Sequence, residues 1–421
     1  MTNPSHTVRI SIPKKLSGRI SLPLSKSECN RLQIIHAITG QKEPMRDISN
    51  AQDSQVLHEL LMRVEAGDTD PVYDCGPAGT TLRFLTALFA GLPGKRILTG
   101  SARMKKRPLG ILVNALRDLG AQIEYKGEEG YAPIEITGTR LKGGQIELDG
   151  SVSSQFVTAL LLIAPTLHNG LVIRFKGPVA SMPYILMTTR IMERFHVYSI
   201  WDGDTLSVSN QKYTVDDAVN QFRVEADWSA ASYFYALAAL SDEGDIFLEG
   251  LQANSLQGDS VCALLFPFLG VSTTFEEGGV RLTPNHYKPK AFAFDFEDTP
   301  DIVQTCAVVA AVKKIPLLMR GLNTLRVKET DRIHAVITEL EKFGVKCEEP
   351  GKGILEIRSF DGNTIVDPVI ETYEDHRMAM AFAPLAMVYP QLRMNDPEVV
   401  KKSFPEFWNE LKKLGAEILS A

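Results

Sequence analysis

A chain of 421 residues with 44% hydrophobic content can bury sizeable cores, and its length points to two domains or more. Its formal charge of −6 argues against nucleic acid or an anionic membrane as a partner, and five dispersed cysteines without a CxxC pair argue against a disulfide framework and a zinc site. The longest nearly unbroken apolar run, Met378 to Pro390, is too short to span a bilayer, and the polar start Met1 to His6 lacks a signal-peptide core, so a soluble cytoplasmic protein is expected.

Taken in chain order, Val8 to Ile12 reads as a strand, and Lys26 and Arg31 open a helix through Leu32, Ile35 and Ile38. Gly76-Pro-Ala-Gly-Thr-Thr-Leu-Arg83 is a small-residue turn feeding a helix, where backbone can approach a phosphate or carboxylate; no Lys-Ser/Thr follows its second glycine, so it is not a Walker A loop. Arg103 and Arg107 form a basic i,i+4 pair before the helix from Leu109 to Leu119. Gly150-Ser-Val-Ser-Ser-Gln155 is a hydroxyl- and amide-rich helix entrance that serves equally as an N-cap cluster. Further strands are predicted at Val172 to Phe175, Asp245 to Leu248 and Leu317 to Met319.

Asp295-Phe-Glu-Asp-Thr-Pro-Asp301 places Pro300 and Asp301 at the first positions of a helix through Ile302, Thr305 and Val309. Arg326-Val-Lys-Glu-Thr-Asp-Arg332 loads three cations and a Glu/Asp pair onto the start of a helix whose apolar stripe is Ile333, Val336, Ile337, Leu340 and Phe343, with Gly344 at the C-cap. On that helix Lys328 and Arg332 are a like-charge pair one turn apart, costing ~0.2–0.5 kcal/mol in an isolated helix, and both oppose the macrodipole. A bound anion would relieve both penalties. Glu329 with Asp301 could divide proton removal and delivery. Asp375 reads as an N-cap and Arg377 as a bidentate clamp for a carboxylate or phosphate, while Lys402 introduces the last helix. An acidic chain has thus concentrated its cations at helix entrances, a pattern suited to a small anionic ligand.

A repeat appears when helix ends are aligned: Arg117 to Ile123, Glu193 to Ser199, Pro267 to Thr273, Glu341 to Cys347 and Lys412 to Ile418 each leave a helix for a strand. The spacing, roughly 70–76 residues, exceeds solenoid periods and indicates α/β modules packed on one another. Four of the five carry Gly at the turn; His196 is the exception.

Lys26-Ser-Glu-Cys-Asn-Arg31, Gly79-Thr-Thr-Leu-Arg83, Arg103 to Pro108, Gly150 to Gln155, Ser181-Met-Pro-Tyr184, Asp227 to Tyr233, Pro300-Asp301, Arg326 to Arg332, Asp375-His-Arg377 and Lys402-Ser-Phe-Pro405 together resemble, in order, the motifs of the 5-enolpyruvylshikimate-3-phosphate synthases, an enolpyruvyl transferase family. The resemblance implies an α/β fold of two domains, an inside-out α/β barrel built from six βαβαββ repeats, with chain crossings near Leu24-Ser25 and Val224-Glu225. Residues 1–24 with 225–421 would form the phosphoenolpyruvate side, and 25–224 the shikimate 3-phosphate side. The reaction implied is transfer of the carboxyvinyl group of phosphoenolpyruvate to the 5-hydroxyl of shikimate 3-phosphate with release of phosphate, a step of chorismate and aromatic amino-acid synthesis.

Carried over residue by residue, the pattern assigns shikimate 3-phosphate to Lys26, Ser27, Arg31, Ser153, Ser154, Gln155, Ser181, Tyr184, Asp301 and Lys328, and phosphoenolpyruvate to Lys26, Gly79, Arg107, Gln155, Arg332, Arg377 and Lys402. Asp301 would accept the hydroxyl proton, and Glu329, with Lys26, would serve proton transfer at the methylene carbon. No metal and no cofactor are expected, and the chain is expected to act as a monomer. Departures from the family pattern are Pro77, Phe84, Thr324 and Trp228. The related transferase acting on UDP-N-acetylglucosamine carries a Lys-Asn pair where this chain has Lys26-Ser27 and a reactive loop cysteine that none of the five cysteines matches; a noncatalytic anion-binding repeat protein would not require Asp301 and Glu329.

Overall fold

The computed structural model describes residues 7–41, 45, 47–151, 153–360 and 367–421. The chain divides into two compact units, Met1–Pro23 with Glu225–Ala421, and Leu24–Val224. Strands β1 (Thr7–Ser11) and β2 (Lys15–Ser21) belong to the first unit. The second unit then runs through α1 (Lys26–Thr39), α2 (Gln52–Glu65), β3 (Val72–Asp74), α3 (Gly79–Gly91), β4 (Gly94–Thr99), α4 (Gly110–Asp118), β5 (Gln122–Tyr125), β6 (Ile134–Gly138), β7 (Gly144–Asp149), α5 (Ser154–Ile163), β8 (Leu171–Lys176), α6 (Met182–Arg194), β9 (Ser199–Asp202), β10 (Thr205–Val208) and α7 (Asp217–Gln221). The first unit resumes with α8 (Trp228–Leu240), β11 (Glu243–Glu249), α9 (Cys262–Leu265), β12 (Val271–Glu276), β13 (Gly279–Pro284), β14 (Phe292–Asp295), α10 (Val303–Lys313), β15 (Leu317–Arg320), α11 (Arg332–Glu341), β16 (Val345–Gly351), β17 (Ile354–Phe360), β18 (Val369–Ile370), α12 (His376–Phe382), β19 (Leu392–Asn395), α13 (Phe407–Lys413) and β20 (Glu417–Ser420).

One plan recurs in five four-stranded sheets, ordered β3-β4-β6-β5, β7-β8-β10-β9, β2-β11-β13-β12, β14-β15-β17-β16 and β18-β19-β1-β20. In each, two parallel strands lie side by side and an antiparallel hairpin or pair completes the sheet. Parallel neighbours need a crossover, which a helix supplies. The N-terminal strands finish two of these sheets: β1 lies between β19 and β20, with Ile10 opposite Leu392 and Ile418, and β2 runs parallel to β11, with Ile20 opposite Leu248. That pairing is why residues before Pro23 belong with the C-terminal half.

Helices of two kinds follow from two sequence patterns. Those after the first strand of a repeat, α3, α5, α8, α10 and α12, are apolar on nearly every side and buried accordingly; in α8, Trp228 and Ala230 to Ala239 are all buried. Those after the second strand bury one stripe, such as Ile333, Val336 and Leu340 of α11. Within the first unit α8, α10 and α12 pack on one another, and within the second α1, α3 and α5 do, so helices form each core with the sheets around them.

At the helix-to-strand turns Gly120, Gly270, Gly344 and Gly415 have φ of 101°, 93°, 72° and 88°, and His196 takes the same left-handed conformation at 62°. Its ring is tied to Asp216 at 2.8 Å, so a specific contact stands where the other turns rely on glycine's freedom. Six repeats are expected, and five four-stranded sheets are present among the described residues, with no closed barrel. Among the described residues the pair α1–α2 keeps the buried-then-striped helix pattern without such a sheet. The chain after β10 instead runs as loop and α7, anchored by side-chain bonds from Asn210 to the carbonyls of Pro165 and Leu167 and from the Tyr213 hydroxyl to that of Leu162. Among the described residues no helix is long and apolar enough to cross a membrane.

Candidate active site

The implicated side chains gather at the N-terminal ends of the buried helices. In the second unit Lys26 is the first residue of α1, Gly79 of α3 and Ser154 of α5, capped by Ser25, Ala78 and Ser153, all neutral. Lys26 Nζ meets Asp53 Oδ2 at 3.0 Å, and the Asp53 carbonyl accepts from Thr81 Oγ1 at 3.0 Å, joining α1, α2 and α3. Arg31 is buried and spends its fork on the protein: Nε donates to Thr188 Oγ1 (2.8 Å), Nη1 to the Ser27 carbonyl (2.6 Å), and Nη2 to Thr158 Oγ1 (3.2 Å) and the Tyr184 carbonyl (3.0 Å). Burial draws its pKa down to about 10, so it stays cationic at neutral pH. Phe84, one of the departures, packs with Arg31 over its ring at 5.9 Å.

Gly79 has a structural reason to be glycine. A Cβ there would lie 2.6 Å from Arg107 Nη1 and 2.8 Å from Arg83 Nη1, so two guanidiniums converge on the start of α3. Arg83 donates to Gln155 Oε1 (3.0 Å) and to the Gly79 carbonyl (3.0 Å). Ser153 caps α5, accepting from Gln155 N at 3.4 Å, and Ser181 sits ahead of α6 with φ 54°. Val152, within the same motif, lies outside the described residues.

The first unit holds the second cluster, centred on Arg332, whose side chain is 2% exposed. Its Nε donates to Asp375 Oδ2 (2.7 Å), Nη1 to Asp301 Oδ1 (2.9 Å), and Nη2 to Glu329 Oε2 (2.9 Å) and Asp375 Oδ1 (3.4 Å). Arg377 Nη2 pairs with Asp301 Oδ2 at 2.8 Å while Nη1 donates to the Tyr233 hydroxyl at 3.2 Å, and Lys402 Nζ donates to Glu329 Oε1 at 2.8 Å. Here the helix ends are acid-capped, by Asp227 on α8 and Asp375 on α12. For Asp301, burial pushes its pKa up, but the facing charges of Arg377, Lys328 and Arg332 outweigh it and hold the carboxyl well below the usual range.

Several local expectations are corrected. Helix α11 begins at Arg332, capped by Asp331 (Oδ1 to His334 N, 3.1 Å), so Lys328 and Arg332 do not share a helical face: Asp331 captures the free N–H groups and ends the helix there. Asp301 lies two residues before α10, in a turn, because the Thr299 carbonyl takes the Ile302 N–H. Lys402 closes a 3₁₀ turn, Pro397–Lys402, and is buried on Glu329; α13 starts only at Phe407. Trp228 is accounted for by its Nε1 bond to Glu225 Oε1 (2.7 Å), a carboxylate that also accepts from Gln252 N and Gln257 Nε2.

Sequence reading missed four participants: Asp53, Arg83 as the partner of Gln155, Tyr233, and Asp375 as the second anchor of Arg332. Asp375 carried a signal in its N-cap position, which explained it too well, and Arg83 and Tyr233 lay within the motifs without an assigned partner; Asp53 carried none. Asp259 is a further one. It is buried, hydrogen-bonded by Ser229, and burial together with the Asp301 charge pushes its pKa up to about 7 against the opposing pull of Arg377. A folded pKa above the unfolded ~3.9 means its contribution to stability is complete below about pH 4 and lost as pH rises through about 7. Asp259→Asn should therefore flatten the rise of the unfolding midpoint on acidification from pH 8 to pH 5; an unchanged pH profile would show that Asp259 titrates normally.

Comparison with known proteins agrees along the whole length. The family model described as EPSP synthase (3-phosphoshikimate 1-carboxyvinyltransferase) matches residues 10–411. A 3-phosphoshikimate 1-carboxyvinyltransferase of Bacteroides fragilis (strain YCH46) is 44% identical over 410 residues, covering 96% of this chain and 97% of the relative, and that of Vibrio atlanticus (strain LGP32) is 35% identical over 431, covering 95% and 97%. The fold is similar to the solved EPSP synthase of Acinetobacter baumannii, with TM-score 0.76 and 22% identity over 99% of this chain and all of that one. With the family match and these full-length relatives added to the two cationic clusters, the chain belongs to the EPSP synthase family.

Proposed function

We propose that the chain transfers the carboxyvinyl group of phosphoenolpyruvate to the 5-hydroxyl of shikimate 3-phosphate and releases phosphate. The observation that carries the chemistry is the arrangement of Asp301 and Glu329 on one guanidinium, each 2.9 Å from Arg332, with Arg377 and Lys402 on their outer oxygens. The hydroxyl oxygen adds to C2 of phosphoenolpyruvate as a proton is added to C3, giving a tetrahedral phosphoketal. Loss of phosphate from C2 and of a proton from C3 restores the double bond as an enol ether. Asp301 takes the hydroxyl proton, and Glu329, with Lys26, handles the proton at C3. Before substrate binds, Asp301, paired with Arg332 and Arg377 and held far below the usual carboxylate range, is a weak base. An anionic substrate beside Arg377 and Lys328 cancels charges that depress it, raising its proton affinity when the acceptor is bound.

In the same reading the second unit is the shikimate 3-phosphate side, through Lys26, Ser27, Arg31, Ser153, Ser154, Gln155, Ser181 and Tyr184, joined by Asp301 and Lys328. Its neutral helix caps support this, since N–H groups and the dipole remain available to a phosphate. Phosphoenolpyruvate is assigned to Lys26, Gly79, Arg107, Gln155, Arg332, Arg377 and Lys402. The fold is read as the inside-out barrel of six βαβαββ units, with α1–α2 as the helix pair of the sixth, working as a cytoplasmic monomer. A cysteine-dependent transferase is disfavoured, because burial pushes the thiol of Cys29 up to about 11 and raises those of Cys75, Cys262, Cys306 and Cys347 as well, away from the reactive thiolate. Phosphate release by the purified protein should require both phosphoenolpyruvate and shikimate 3-phosphate and survive exhaustive chelation. Release with UDP-N-acetylglucosamine as acceptor, or only with a restored divalent ion, would overturn the reading.

A further inference from the structure

Two consecutive residues ahead of Arg377 hold a backbone conformation that bulky L-residues avoid: Tyr373 at φ 54° and Glu374 at φ 55°. Such positions persist only where the surroundings over-determine them. Here the surroundings are one helix, α11, gripping the segment before α12 at two points. Arg332, at its start, binds the carboxylate of Asp375 through Nε at 2.7 Å. Two turns further on, and so on the same face, Glu339 is fully buried and accepts from the Tyr373 hydroxyl through Oε1 (2.7 Å) and from Glu371 N through Oε2 (3.2 Å). Lys342 Nζ donates to both Glu339 oxygens (2.9 and 2.7 Å) and to the Val369 carbonyl (2.8 Å), which orients the carboxylate and ties the strand that leads into the turn. The turn itself is closed by Asp375 N to the Thr372 carbonyl at 2.8 Å.

The buried Glu339 carboxylate is engaged by the segment before α12, and the left-handed pair lies three residues ahead of Arg377, the side chain that pairs with Asp301. We infer that Glu339, Lys342 and Tyr373 form a clamp that stabilises the left-handed turn at Tyr373-Glu374 and thereby aims Arg377 at the carboxylate of phosphoenolpyruvate. Tyr373 and Glu339 are positioning residues: they act through Arg377 and touch no reacting atom. The inference rests on the reading of Arg377 as a phosphoenolpyruvate ligand.

Steady-state kinetics of four variants test it, with the unfolding midpoint measured for each. Tyr373→Phe removes the hydroxyl, and Glu374→Val, at an exposed side chain, opposes positive φ through the backbone alone. Both should raise KM for phosphoenolpyruvate about tenfold while KM for shikimate 3-phosphate stays near the parent value. Glu374→Gly, which adopts positive φ without strain, should keep both KM values. Arg377→Ala is the control for the underlying reading. If it raises KM for phosphoenolpyruvate while folded Tyr373→Phe and Glu374→Val do not, the clamp is overturned and Arg377 keeps its role. If Arg377→Ala leaves that KM unchanged, the role of Arg377 falls and the clamp with it. Equal rises in both KM values accompanied by a lowered midpoint would mark the network as merely structural. Should Tyr373→Phe fail to fold, the Val and Gly variants at the exposed Glu374 decide.

Discussion

Arg332→Ala is expected to lower the unfolding midpoint by about 6–20 °C, in addition to any fall in substrate affinity. Arg332 is buried and binds three carboxylates at once, those of Asp375, Asp301 and Glu329. Removing one partner from a buried ion cluster leaves uncompensated charge and costs about 3–5 kcal/mol, and a unit of some 220 residues loses roughly 2–4 °C per kcal/mol. The sequence assigned Arg332 only to phosphoenolpyruvate. The geometry adds a structural role, because Nε, Nη1 and Nη2 of Arg332 are all engaged by carboxylates inside the protein. The deficit should shrink in acid. Asp301 has a depressed pKa, so the stability it brings is present above the unfolded value near ~3.9 and is lost as pH falls towards the folded one. Thermal unfolding of parent and variant at pH 7 checks the main effect; midpoints within about 2 °C of each other would show that the carboxylates re-pair without Arg332.

Asp301→Asn and Glu329→Gln are each expected to reduce turnover by about 10²–10⁴-fold, the usual worth of a positioned acid or base. Both side chains are only partly buried, at 17% and 16% exposure, and Asp375 still holds Arg332 in either variant, so the folded state should survive. The two differ in their side effects. Asp301→Asn weakens the grip on Arg377, whereas Glu329→Gln loosens Lys402. Accordingly KM for phosphoenolpyruvate should rise in both, through different cations. Turnover of both variants with circular dichroism to confirm folding is the measurement. Near-normal turnover in both would sink the acid–base assignment of Asp301 and Glu329.

What the amino-acid sequence determined was local and periodic. The turn glycines Gly120, Gly270, Gly344 and Gly415 marked the repeat because only a left-handed residue passes from that helix end into that strand, and the caps at Ser153 and Asp375 and the cations Lys26, Arg31 and Arg377 were legible because capping and dipole effects act within one helical turn. The motifs in family order carried the reaction. What only the tertiary structure decided were the partners from distant segments: Asp53 on Lys26, Gln155 on Arg83, Asp375 on Arg332, and Glu329 on Lys402, pairs separated by 27, 72, 43 and 73 residues. No periodicity encodes these, since each depends on which helix N-termini the sheets bring side by side. The same cause placed Lys402 in a buried ion pair on Glu329 rather than at the entrance of the last helix, and made Arg332 the centre of a charge cluster that the fold itself needs.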